Sequence, residues 1–136
     1  MASSILADSG FLIALLNGRD TDHDWAAAQA VQFPPPWKTC EAVLSEAFYL
    51  LGPPGVHALG ELLEARAVTC EFDAAGQIED VLRLMKKYRS VPMSFADACL
   101  VRMTETLSNP TLLTTDSDFH VYRRHGRQVV PCVTPR

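Results

Sequence analysis

The sequence predicts an α/β fold in which a central, mostly parallel sheet carries helices on both faces. Two observations support this. Short apolar or β-branched runs recur along the chain, and helical patterns, not hairpin turns, separate them. Parallel neighbours need such crossovers, whereas antiparallel neighbours can be joined by two residues.

In chain order, residues 4–8 (SILAD) form the first expected strand, short, apolar and ending on an aspartate. Residues 11–16 follow as a helix, and residues 21–31 as another, opened by a polar cluster. Residues 33–37 (FPPPW) are expected as a stiff extended connector, because each proline fixes its own φ and turns the residue before it away from helix. Residues 39–51 are strongly helical, and the GPPG of residues 52–55 closes that helix and precedes one at 56–65. The alternating AVTCEF of residues 67–72 is an expected strand, and Asp73 opens a long helix through Tyr88. Residues 95–106 form the last helix, 111–115 a strand and 128–133 the final strand. No repeat or linker interrupts this order, so residues 1–136 are expected to be one domain.

Composition narrows the classes. No apolar run reaches the roughly 20 residues of a membrane helix, and MASSILAD lacks the basic n-region of a secretory signal. Cys40, Cys70, Cys99 and Cys132 form no CxxC pair, and they are expected as reduced, mostly buried thiols of a cytoplasmic protein. His23, His57, His120 and His125 show no ligand spacing and are expected to be solvated or structural. A net charge of −4 excludes a protein that coats nucleic acid through its overall field. Local basic segments remain: Arg83, Lys86, Lys87 and Arg89 crowd one, and Arg123, Arg124, His125 and Arg127 another. Taken alone, each is a solvated face.

The acids carry the functional question. Asp8 ends the first strand and Asp116 follows the strand at 111–115, so both fall at the carboxyl edge of the sheet, where α/β proteins bind ligands. Each also has a structural explanation: Asp8 as a helix N-cap, Asp116 as an Asx-turn continued by Asp118. Ser94-Phe95-Ala96-Asp97 has the S-x-x-D form of a capping box, on a helix that is apolar nearly all round. Glu46 lies on the same stripe as Val43, Ala47 and Leu50, where a glutamate must reach a cleft or a charged partner. Glu41 needs no such account, being placed at a helix start. Four gathered carboxylates would repel, and a hard divalent cation such as Mg²⁺ or Mn²⁺ resolves that conflict. Metal-assisted phosphodiester hydrolysis is the chemistry such a set suits.

The segments ILADSGFLIALLN, TCEAVLSEAFYLL, MSFADACLVRMTE and LLTTDSDF, in this order, resemble the four acidic motifs of the PIN-domain ribonucleases, and most of all the VapC-like toxins of toxin–antitoxin pairs. The likeness runs from Ile5 to about Val133. It implies a small three-layer α/β/α fold and a metal-dependent endoribonuclease using one or two Mg²⁺ or Mn²⁺ ions. It implies Asp8, Glu46, Asp97 and Asp116 as the catalytic and metal-holding acids, Ser9 and Thr114 as supporting hydroxyls, and Asp118 as a further acid. RNA as substrate, a small antitoxin partner and a homodimer follow from it, as do RNA phosphate contacts by Arg123, Arg124 and Arg127. Two rival readings stand beside it: a non-catalytic PIN-like binding module, or PIN nuclease acting in RNA processing outside toxin–antitoxin systems, and a phosphoacceptor domain. The last usually shows adjacent acids after its first strand, where this chain has Asp8-Ser9-Gly10.

Overall fold

A computed structural model describes residues 2–136. Its five-stranded sheet is parallel throughout, in the order β3–β2–β1–β4–β7, where β1 is Ser4–Ala7, β2 Trp37–Thr39, β3 Val68–Cys70, β4 Pro110–Leu113 and β7 Cys132–Val133. Six helices flank it: α1 (Ser9–Leu16), α2 (His23–Gln32), α3 (Glu41–Leu51), α4 (Pro53–Glu64), α5 (Ile78–Lys87) and α6 (Phe95–Thr106). Helix α1 packs on α2, α3 and α4, while α5 packs on α6, and α3 also touches α6. The core between these layers is apolar, with Leu6, Phe11, Leu12, Leu100, Leu112 and Leu113 fully buried.

The topology decides where a ligand can sit. From β1 the chain winds outward through β2 to β3, then crosses back through α5 and α6 to β4 on the other side of β1. The winding direction therefore reverses between β1 and β4, which opens a crevice beyond their carboxyl ends. Ala7 pairs with Leu113, so the residues that leave the sheet side by side are Asp8 and Thr114.

Four expected elements differ. Strand β2 was expected as connector running into a helix; instead Trp37–Thr39 is an interior strand and α3 starts two residues later. Three residues are too few for an alternation to show, yet Trp37 is buried against Phe11, with ring centroids 5.4 Å apart and its indole N–H donating to the Phe33 carbonyl at 2.7 Å. The long helix from Asp73 begins as a 3₁₀ turn, Ala75–Gln77, before α5. The final strand is split. Pro131 gives its carbonyl to Leu112 N–H but has no N–H with which to extend the ladder. Gln128–Val129 (β6) leaves the sheet and pairs antiparallel with Arg123–Arg124 (β5). Helix α4 also starts earlier than expected, with Pro53 and Pro54 in its first turn, a place where the missing N–H costs nothing.

Candidate active site

Each acid reaches the crevice from a different element. Asp8 follows β1 and is only 6% exposed. One carboxylate oxygen accepts from the Ser9 N–H at 2.7 Å and, more weakly, from the Ser9 hydroxyl at 3.4 Å. The other accepts from the Thr114 hydroxyl at 2.7 Å. Thr114, itself fully buried, accepts in turn from the Asp116 N–H at 3.0 Å, so one hydroxyl ties the ends of β1 and β4 together. Asp116 accepts from the Asp118 N–H at 2.9 Å and opens the 3₁₀ turn Ser117–His120.

Asp97 stands at the third position of α6 in a complete capping box with Ser94, whose hydroxyl accepts from the Asp97 N–H at 3.0 Å. The carboxylate also accepts from the Tyr122 hydroxyl at 2.9 Å. Glu46 projects from the middle of α3 and is exposed. Asp8, Glu46, Asp97, Asp116 and Asp118 all line one open cleft of about 360 Å³. The structural explanations for Asp8, Asp97 and Asp116 are thus real, and they do not compete with a place in the cleft. The capping bonds occupy part of each carboxylate and fix its direction.

The floor of the cleft is close-packed. A Cβ on Gly10 would lie 2.0 Å from the Thr115 hydroxyl, so only glycine lets α1 start this close to the chain leaving β4. Burial pushes the Asp8 carboxyl up to about 6; the Thr114 bond pulls it down, and the Asp97 charge raises it again. Asp97 is also raised, first by burial, against the lowering pull of the Tyr122 hydroxyl. Among the described residues, no lysine, arginine or histidine lines the cleft.

Such a donor set suits a hard cation. Every charged donor is a carboxylate, with neither thiol nor imidazole to favour a softer metal. Among the described residues, no three acidic, histidine or cysteine side chains form a ready-made ligand cluster. Mg²⁺ does not require one, since it keeps several waters and takes one or two carboxylates directly.

Two features lay outside the sequence reading. Tyr122 follows the last acid without periodic signal, and only the fold brings its fully buried ring under Asp97. The arginines are divided by the hairpin. Arg123 donates through Nη1 to the carbonyls of His120, Val121 and Tyr122, at 2.8, 3.2 and 2.9 Å. Arg124 donates to the Thr104 carbonyl of α6, while its buried Nε has no partner. Arg127, in the turn, is exposed. The four cysteines are unbridged; Cys40 and Cys99 are buried, whereas Cys70 and Cys132 are only half-buried. No helix among the described residues is long and apolar enough to cross a membrane.

Comparison with known proteins agrees with this fold. The PIN domain matches residues 5–124. Curated proteins provide no match. Among solved structures, the chain is similar to VapC20 of Mycobacterium tuberculosis, described as a toxin that cleaves the sarcin–ricin loop, at 25% identity and a TM-score of 0.78. That likeness covers 87% of this chain and 94% of the other.

Proposed function

This chain belongs to the PIN-domain family, and from that premise we propose that it is a metal-dependent endoribonuclease, the toxin of a toxin–antitoxin pair. The observation that carries the reading is the convergence of Asp8, Glu46, Asp97 and Asp116 on one open cleft at the β1/β4 switch point, which no basic side chain among the described residues lines.

These four acids would hold one or two Mg²⁺ or Mn²⁺ ions. A cation held there would supply water activation and offset for charge developing on the phosphodiester oxygens. The chain's own groups set the stage. Thr114 keeps the Asp8 and Asp116 segments in register, Ser9 shares the load on Asp8, and Tyr122 aims the Asp97 carboxylate. Asp118, anchored through its backbone to Asp116, adds a fifth negative charge at the rim. The cleft is open enough to admit a chain, which suits cutting within a strand.

A small antitoxin segment that covers the cleft, and a homodimer, complete the reading. Tyr49, 84% exposed, and Leu50, 58% exposed, follow Glu46 on α3 and supply apolar surface beside the acids for such a segment. Cytoplasmic residence accords with RNA as substrate and with unbridged thiols.

The test is incubation with a tRNA and mRNA pool and with a sarcin–ricin loop hairpin, in Mg²⁺ or Mn²⁺ and then in EDTA, alongside Asp8→Asn and Asp116→Asn. The reading expects cleavage only with metal and intact acids. Cleavage that survives chelation or both substitutions sinks the metal mechanism. A folded protein that binds Mn²⁺ weakly or not at all, and leaves RNA intact, is a binding module instead.

A further inference from the structure

The acidic cleft creates a requirement that it cannot meet by itself. RNA is a polyanion, and proteins hold it chiefly through lysine and arginine on its phosphates. With five carboxylates in the cleft lining and a net charge of −4 on the chain, those cations must be gathered locally nearby.

We infer that the outer face of α5 and the β5–β6 turn together form a phosphate-binding track that holds the RNA strand beside the cleft. This rests on the ribonuclease reading. Arg83, Lys86 and Lys87 lie on α5, with Arg89 just beyond it. The turn brings His125 and Arg127 to the same place, because Lys87 Nζ donates to the Gly126 carbonyl at 2.9 Å. His125 and Gly126 have φ of 50° and 82°, the left-handed geometry that lets the turn double back toward the helix. Between the two segments runs a groove of about 350 Å³.

The acids of that groove are already matched. Arg102, with only 24% of its side chain exposed, pairs with Asp80 and Glu105, each at 3.2 Å. Arg83 adds a second contact to Asp80 at 2.7 Å, and the His125 N–H donates to Glu105 at 2.7 Å. Among the described residues, no carboxylate pairs with Lys86, Lys87, Arg89 or Arg127. Glu79 adds one exposed acid beside Arg83 and Lys86, yet the face remains cationic in surplus, and its exposed apolar side chains include no aromatic ring of the kind that anchors protein interfaces.

The track also abuts the cleft. Tyr88, which caps α5, stacks edge-on against Tyr122 at 5.2 Å and accepts from the Arg123 N–H at 2.9 Å. On the other side, Tyr122 holds Asp97. One pair of rings separates the cations from the acids. Arg123 and Arg124 then act as the hairpin's framework, and phosphate contact passes to Arg127 and the α5 cations.

Fluorescence anisotropy of a labelled single-stranded RNA in EDTA tests the inference, comparing Lys86→Glu/Arg127→Glu with Arg19→Glu/Arg66→Glu. Both pairs change net charge equally, but Arg19 and Arg66 lie in exposed turns after α1 and before β3, outside both α5 and the β5–β6 turn. The track variant should bind about tenfold more weakly, with a log–log salt slope shallower by about 1.4, as loss of two single-strand phosphate contacts implies. The control should stay within about twofold of wild type. Equal weakening in both variants overturns the inference. So does displacement of the RNA by poly-glutamate at matched charge, which would assign the face to an acidic protein. Failure of the ribonuclease reading shows separately, as absence of metal-dependent cleavage whatever the binding result.

Discussion

Replacing Asp8 by asparagine should stabilise the metal-free protein at neutral and alkaline pH while abolishing its activity. The carboxyl is 6% exposed, and its pKa is raised from 3.8 to about 6, mainly by burial. A raised pKa means that the folded state holds this proton more tightly than the unfolded chain. Its contribution to stability is therefore full below about 3.8 and is lost as pH rises through about 6. At 1.36 kcal/mol per pH unit, the ionised side chain costs the folded state about 3 kcal/mol at pH 8. Asparagine carries no charge to strand there. It still accepts from the Ser9 N–H, but the Thr114 hydroxyl must turn, losing about 1 kcal/mol. The net expectation is a gain of about 2 kcal/mol at pH 8 that disappears by pH 4. Urea unfolding in EDTA, followed by the fluorescence of Trp25 and Trp37, measures both proteins across that range. Groups remote from the cleft titrate equally in the two, so the difference reports Asp8 together with its charge coupling to Asp97 and Glu46. A difference that stays constant from pH 4 to pH 8, or a variant less stable at pH 8, refutes the reasoning.

Mn²⁺ should raise the thermal midpoint of the wild type more at pH 8 than at pH 5, since protons compete for Asp8, and should have little effect on Asp8→Asn. Glu46→Gln should abolish cleavage yet change stability by less than about 0.5 kcal/mol, because the side chain is exposed; wild-type turnover would return Glu46 to a surface role. Tyr122→Phe removes the hydroxyl from Asp97 and should weaken Mn²⁺ binding, measured by calorimetry, roughly tenfold or more. Gly10→Ala must displace the Thr115 side chain from the cleft floor and should reduce cleavage more than it reduces stability, as assayed by turnover and urea unfolding together.

Legibility in the sequence followed the physics of each element. Strands β1 and β4 and helix α6 stood out because apolar runs and a capping box mark them locally. Asp8, Asp97 and Asp116 stood out because each occurs where an element begins; Glu46 stood out on a stripe read as buried, of which the structure buries Val43 and Ala47 and exposes Glu46 and Leu50. Strand β2 was hidden, since three residues show no period and its burial depends on Phe11, far away in sequence. Tyr122 was hidden for a similar reason: nothing in its own neighbourhood points to Asp97. Charge alone could not tell which arginines face inward, because that depends on which carbonyls the hairpin leaves free.

The interrupted final strand has a consequence for the protein at high concentration. An open sheet has two rims, and a long rim is a template on which another chain can add. Here one rim is β7, two residues long, and the other is β3, three residues long and flanked by the exposed Arg66 and Glu71. Had residues 128–133 run on as one strand, the β7 rim would be three times as long. By breaking the ladder at Pro131, the chain diverts its spare strand into a private hairpin and leaves little backbone exposed for self-association.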